Sequence, residues 1–216
     1  MIEIRDLHFS HHHGKTVFTG LDFTLGEGER VGLVGPNGSG KTTLMHLIMG
    51  LLKPTSGEIK VFGAPRSAEE DFKEVRRRVG LLFQDSDDQL FCPTVKEDVA
   101  FGPLNLGHTH EETETIVKET LGVLGIGTLE EEVTHHLSGG ERRLVALATV
   151  IAMRPECYLL DEPTEGLDSE RTALLLKYLR ANGKTYLISS HDRDFLRAAV
   201  DKVYGLRDGR IAEVSS

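Results

Sequence analysis

The segment Gly35-Pro36-Asn37-Gly38-Ser39-Gly40-Lys41-Thr42-Thr43 constrains this chain more than any other. It fits the pattern GxxxxGK[ST] and stands between the apolar run Val31-Gly32-Leu33-Val34 and a helix-like stretch from Thr42 to Met49. A strand, a glycine-rich turn and a helix in that order make a cradle for phosphate. The glycines let the backbone curl so that its N–H groups face the phosphates, and the helix adds the positive end of its dipole. Lys41 is then placed to reach the β- and γ-phosphates and the Thr42 hydroxyl to bind Mg²⁺. The short, fully apolar strand before the loop suits a parallel sheet covered on both faces.

The rest of the chain alternates strand and helix patterns. Ile2, Ile4, Leu7 and Phe9 suggest an opening strand, and Leu21, Phe23 and Leu25 alternate with polar residues as in a half-buried one. Strands are also expected at Glu58–Phe62, Val79–Phe83, Tyr158–Leu160 and Thr185–Ser189, with a hairpin of Lys202–Leu206 and Arg210–Val214 around Asp208-Gly209. Helices are expected over Glu69–Arg78, Glu111–Leu121 with Thr109 as cap, Arg142–Met153, Ser169 to about Arg180 with the Ser169 hydroxyl as cap, and Asp192–Ala199. The alternation predicts an α/β core, residues 1–84 and 155–216, interrupted by a helical block at about 85–154.

With 216 residues, 39% of them hydrophobic, the chain is sized for one compact domain carrying such an insertion. No apolar stretch approaches the roughly 20 residues of a membrane helix, and Met1–Arg5 lacks the basic start and apolar run of a signal peptide. A cytoplasmic protein is expected, docked on a membrane-spanning partner if it works at a membrane. Two cysteines, Cys92 and Cys157, without CxxC spacing fit a reducing compartment. A formal net charge of −9 argues against nucleic acid as a partner.

Two further segments carry chemistry. Tyr158-Leu159-Leu160-Asp161-Glu162 is an apolar strand closed by two carboxylates. Asp161 suits a Mg²⁺ ion that prefers oxygen ligands and keeps several waters, and Glu162 is placed to orient or deprotonate an attacking water. In Leu137-Ser138-Gly139-Gly140-Glu141 the serine and the glycine amides open a helix and can bind an anion.

With that pentapeptide between the glycine-rich loop and the Asp-Glu pair, the chain resembles the ABC ATPase family, whose signature is LSGGQ or a close variant; Glu141 replaces the final glutamine. The resemblance implies a P-loop NTPase (RecA-like) core with an N-terminal antiparallel β subdomain and an inserted α-helical signature subdomain. It implies ATP and Mg²⁺ as cofactors, held by the loop from Gly35 to Thr43, with Asp161 and Thr42 on the metal. Gln84 matches the family's Q-loop glutamine, which touches Mg²⁺ and water, and Gly166-Leu167-Asp168 its D-loop. His191 matches the switch histidine that contacts the γ-phosphate, and Glu162 the catalytic carboxylate. His11 falls where the family stacks adenine on an aromatic residue, with His12 or His13 as alternatives by a shift of register. A second ATPase subunit, identical or a paralogue, is implied, paired head to tail so that Ser138, Gly139, Gly140 and Glu141 of one subunit face the ATP of the other.

The run from Asp85 through Phe91 to Pro103 is similar to the region after the Q-loop in energy-coupling-factor ATPases, which serve importers of cobalt, nickel or vitamins such as biotin. This implies a transmembrane coupling protein and a substrate-binding membrane subunit as partners, location on the cytoplasmic face of the membrane, and Leu90 and Phe91 as packing points for a partner helix. Many relatives carry a C-terminal extension; with the chain ending at Ser216, a dedicated dimerisation tail is not expected. The histidines His11–His13, His108, His110, His135 and His136 read as solvated loop residues rather than metal ligands. Non-transport members of the family, acting in DNA repair or on ribosomes, are the rival reading, and a nucleotide sensor without turnover is a third.

Overall fold

The computed structural model describes residues 1–11 and 14–214. Among these, ten strands form two sheets. The first is antiparallel. Strand β1 (Ile2–Ser10) lies between β2 (Thr16–Leu25) and β4 (Ser56–Val61), and β5 (Ala64–Pro65) closes the edge. The buried positions Ile2 and Ile4 are out of phase with Leu7 and Phe9. A register shift between Ile4 and Leu7 absorbs the difference, with Asp6 at φ 47° and its N–H on Asp22 Oδ1 at 2.9 Å.

The second sheet has the order β10-β9-β3-β8-β7-β6. Here β3 (Arg30–Val34), β6 (Val79–Leu82), β7 (Cys157–Asp161), β8 (Tyr186–Ser189) and β9 (Lys202–Arg207) are mutually parallel, and β10 (Arg210–Val214) returns antiparallel to β9. Successive side chains point to opposite faces of a strand. Cys157, Leu159 and Leu187 therefore join one core with β1, β2 and helix α1 (Lys41–Ile48). Tyr158, Leu160, Tyr186 and Ile188 join a second core on the other face. That face carries the helices inserted between β6 and β7, namely α3 (Val95–Leu106), α4 (His110–Val123) and α5 (Gly139–Ala152), and also α6 (Ser169–Asn182) and α7 (Arg193–Ala199). Helix α2 (Glu69–Arg78) packs Phe72 and Val75 into the first core.

Three inserted helices begin with the same device. Thr94, Thr109 and Ser138 each cap the helix and receive in return the glutamate three residues on, Glu97, Glu112 and Glu141. Thr109 is the expected cap. The helix expected from Arg142 starts at Gly139, because Ser138 captures the Glu141 N–H and nucleates the turn earlier than the apolar stripe alone indicates. The cap of α6 is Asp168, whose Oδ1 accepts from Arg171 N at 2.8 Å, and not Ser169. The strand expected to reach Phe62 ends at Val61, since Phe62 turns the chain with φ 55°. No described helix is long and apolar enough to cross a membrane.

Candidate functional site

The strands β3, β8, β7 and β6 lie side by side and parallel, so the loops leaving their C-terminal ends meet at one edge of the sheet, where α/β folds place ligands. From β3 comes the glycine-rich loop, from β7 the pair Asp161 and Glu162, from β8 Ser190 and His191, and from β6 Phe83 and Gln84. A cavity of about 370 Å³ there is lined by His11, Asn37, Gly38, Gly40, Lys41, Thr42, Thr43, Gln84, Asp161, Glu162 and His191, together with Lys15 and Val17. His12 and His13 lie outside the described residues. Three of the loop's expected nucleotide contacts do not line it. Gly35 packs under the backbone of Leu206, and Pro36 and Ser39 face the opposite side of the loop, toward Asp208 and Gly209.

The loop's curl depends on residues without a side chain. Gly40, at the mouth of α1, has φ +109°, and a Cβ there would stand 2.6 Å from Val17 Cγ1 and 2.9 Å from the Phe18 ring. Lys41 is buried, and its ammonium donates to Gly35 O at 2.9 Å, so it is held inside the curl. Beside it the Thr42 hydroxyl donates to Asp161 Oδ2, and the Ser189 hydroxyl donates to Asp161 Oδ1. One carboxylate oxygen is thereby held at the start of α1 and the other at the end of β8. Burial holds the neighbouring His46 imidazole below its usual value, against the pull of Asp161 and Asp88.

Glu162 sits at φ +48°, a conformation uncommon outside glycine and concentrated at functional sites. Its N–H donates to Ser189 O at 2.9 Å, and its Oε2 accepts from His191 N at 3.1 Å. Its other oxygen, Oε1, is buried without a hydrogen bond, although His191 Nε2 stands 3.4 Å away. A buried acceptor left free is what a group needs in order to receive a proton from a water entering the cavity. The donor set of Thr42 hydroxyl, Asp161 carboxylate and Gln84 amide is made of hard oxygens and suits Mg²⁺. Among the described residues no three His, Cys, Asp or Glu side chains gather into a metal cluster. A Mg²⁺ ion held by the Thr42, Asp161 and Gln84 oxygens would complete its shell with phosphate and water.

Ser138, Gly139, Gly140 and Glu141 do not line the cavity. They form the exposed first turn of α5, where Glu141 Oε2 accepts from Ser138 N at 2.8 Å and from Ser138 Oγ at 2.6 Å. Those bonds hold the Glu141 carboxyl below its usual range. Gly139 lines a neighbouring cavity with Thr42, Gln84 and Gly166. His11 is at the rim, edge-on to Phe9 with ring centroids 5.0 Å apart. Of the two residues expected to pack on a partner helix, Leu90 is partly buried against the helical core and Phe91 faces outward, 66% exposed.

Two residues at the site escaped the sequence reading. Ser189 aligns Asp161, and Arg143 reaches the backbone of four site residues. The signal for Arg143 lay in its phase: it shares the buried face of α5 with Ala146, Leu147 and Val150, an unusual place for an arginine.

A parallel sheet whose strand ends gather a glycine-rich loop, a hydroxyl, two carboxylates and a histidine defines a P-loop nucleoside-triphosphatase. The family model described as ABC transporter matches residues 18–165. The energy-coupling factor transporter ATP-binding protein EcfA of Methanocaldococcus jannaschii is 47% identical over 98% of this chain and 77% of its own length. A putative ABC transporter ATP-binding protein of Brucella suis is 48% identical over 92% and 82% respectively. Among solved structures, cbiO1 of Clostridium perfringens, part of the ABC transporter complex cbiONQ, superposes with TM-score 0.83 at 34% identity, covering 98% of this chain and 86% of that one. A dimeric ATP-binding cassette in a post-hydrolysis state with ADP and Pi gives TM-score 0.89 at 26% identity over the full length of both chains. The chain belongs to the ABC transporter ATPases, of energy-coupling-factor type, and is an ATP-hydrolysing enzyme.

Proposed function

We propose that this chain powers an importer from the cytoplasmic face of the membrane, hydrolysing ATP to drive uptake of cobalt or nickel ions or of a vitamin such as biotin. The observation that carries the catalytic part is the gathering of Thr42, Asp161, Glu162 and His191 around one cavity, with Glu162 Oε1 buried and free. The loop amides and Lys41 bind the phosphates, Glu162 takes the proton of the attacking water, and His191 holds Glu162 and faces the γ-phosphate. His11 lies against the adenine. Thr42, Asp161 and Gln84 hold Mg²⁺, which neutralises charge on the phosphates when bound.

The active unit is a head-to-tail pair. The first turn of α5, with Ser138, Gly139, Gly140 and Glu141, closes over the nucleotide of a second ATPase subunit, and hydrolysis releases the clamp. The relative cbiO1 is titled as part of a transporter complex, and the similar cassette as a dimer, which supports this assembly. The core (1–84 and 155–216) and the helical unit (about 85–154) act as one ATPase domain, and the helical unit docks on the membrane partners. Its surface carries an aromatic pair, Phe91 and Phe101, perpendicular at 4.8 Å with Leu104 beside it, all three exposed. Buried Asp98 fixes that loop, its Oδ1 accepting from Phe91 N at 3.1 Å and Cys92 N at 2.9 Å.

Proteoliposomes holding the chain with its cognate transmembrane coupling protein and substrate-binding subunit test this reading. ATP should drive accumulation of labelled Co²⁺, Ni²⁺ or biotin, and Phe91→Ser should release the chain from the membrane fraction. Phosphate release without any of these cargoes moving would refute the import assignment.

A further inference from the structure

Arg143 is 2% exposed and lies on the inner face of α5. Its guanidinium spends its hydrogen bonds on peptide carbonyls. Nη1 donates to Phe83 O at 2.6 Å and Gln84 O at 3.2 Å, and Nη2 donates to Glu162 O at 2.8 Å and to Asp161 O. Burial pulls its pKa below the usual value, against the charges of Glu165, Asp161, Glu162 and Asp85. A guanidinium taken out of water without a bidentate carboxylate is an unfavourable choice for packing alone.

The two carbonyl pairs belong to neighbouring strand ends. Strands β6 and β7 run parallel with Leu82 opposite Leu160, so the chain leaves both at the same height, toward Phe83-Gln84 and Asp161-Glu162. One planar fork fits across both ends; the point-like ammonium of a lysine does not span two peptide pairs. Two other side-chain links join α5 to the segment after β6. Gln89 Nε2 donates to Ala146 O at 2.9 Å while Gln89 Oε1 accepts from Phe83 N at 3.0 Å, and Arg142 pairs with Asp87 at 3.2 Å. Of the three, only Arg143 also reaches Glu162.

We propose that Arg143 is a positioning residue for hydrolysis, a strut through which the seating of the signature helix sets Gln84 and Glu162 together. It is absent from the cavity lined by Lys41 and Glu162 and lines the adjoining one with Thr42 and Gln84, touching the loop lysine in neither, so its effect should fall on turnover more than on ATP affinity. The same helix presents Ser138–Glu141 at its first turn, so engagement there is passed along α5 to the carboxylate. The proposal rests on Glu162 being the proton acceptor.

The test is phosphate release by the full chain in its membrane complex, comparing wild type, Arg143→Lys, Arg143→Gln, Glu162→Gln and Arg143→Lys/Glu162→Gln. Arg143→Lys should lower kcat at least about tenfold, within the range a small misplacement of a catalytic group produces, with KM for ATP within about twofold. In the Glu162→Gln background the same change should remove less than about twofold more, because the group it positions is already disabled. Unchanged kcat, a rise in KM alone, or the full loss repeated in the double variant would overturn the proposal. If neither Arg143→Lys nor Arg143→Gln folds, Arg143 is a packing residue and the proposal falls. Wild-type turnover in Glu162→Gln would instead sink the carboxylate assignment, whereas full kcat in Arg143→Lys beside an inactive Glu162→Gln would sink this inference alone.

Discussion

The hydroxyl of Thr42 donates to Asp161 Oδ2, joining the first turn of α1 to the end of β7 across 119 residues of sequence. Ser189 holds the other oxygen, so Asp161 arrives at the loop with both oxygens fixed. Asp161→Asn turns one acceptor into an NH₂ donor facing a hydroxyl and removes the charge a divalent cation needs. The Mg²⁺ concentration for half-maximal phosphate release should rise at least about tenfold, the scale seen when a metal's supporting shell is disturbed. A Mg²⁺ titration of turnover checks this, and an unchanged midpoint would remove Asp161 from the metal.

The parts of this site legible in sequence were those where one backbone segment carries the geometry. Gly35–Thr43 and Tyr158–Glu162 declare themselves because a curl or a strand end needs those residue types in immediate succession. The twin sheets were legible less completely. Ile2, Ile4, Leu7 and Phe9 marked the opening strand, but not the register shift between Ile4 and Leu7 that lets all four be buried. The phase of Arg143 marks it as buried, but its role and that of Ser189 were not legible, since they exist only when β8 and α5 are laid against β7. The cap of α6 was misplaced by one residue because Ser169 and Asp168 are both good caps, and only the backbone angle at Asp168 decides between them. Leu90 and Phe91 looked alike as apolar residues after an acidic run; the bonds from Asp98 to Phe91 N and Cys92 N set which one faces out.

Glu162→Gln keeps the shape of the side chain and an oxygen for His191 N, but the amide does not take a proton. Turnover should fall about 100-fold or more, the lower bound typical of a lost general base. ATP binding should persist, so a dimer holding uncleaved ATP should accumulate. Size-exclusion chromatography with light scattering in Mg-ATP reads that species. Wild-type phosphate release by this variant would exclude Glu162 as the base.

Gly140 makes a contact that Gly139 does not. A Cβ on Gly140 would stand 2.7 Å from Gly166 O, a backbone atom that cannot swing aside, while one on Gly139 meets nothing within 4 Å. Alanine favours helix at both positions, so propensity alone predicts a slight gain for each. Gly140→Ala should nevertheless lose about 1–3 kcal/mol, as overpacked sites do, and Gly139→Ala should not. Thermal unfolding of the two variants side by side separates them, and equal Tm values would show that the 164–168 turn yields freely.

An ion-pair chain fastens α2 to both sheets, and its carboxylates set an acid limb for stability. Arg66, with its side chain 6% exposed, donates to Val61 O at 2.9 Å and pairs with Glu74 at 2.7 Å. Arg78 lies 3.6 Å above the Phe62 ring centroid, pairs with the same Glu74 at 2.7 Å and donates to both oxygens of Glu156 at 2.7 and 3.0 Å. The hydrogen bond from Arg66, then that from Arg78, holds the Glu74 carboxyl below its usual range, and Arg78 does the same to Glu156. A carboxylate whose folded pKa is depressed adds stability above its unfolded value of about 4.3 and loses it as pH falls through the folded value. Glu74→Gln and Glu156→Gln should therefore melt below wild type at pH 7, with the gap closing as pH drops below about 4. Both carboxylates are half exposed, so the gap should also shrink in about 1 M salt. Circular-dichroism melts across pH 3–8 measure it, and a gap that stays constant through the acid range would mean these glutamates act by packing and not by charge.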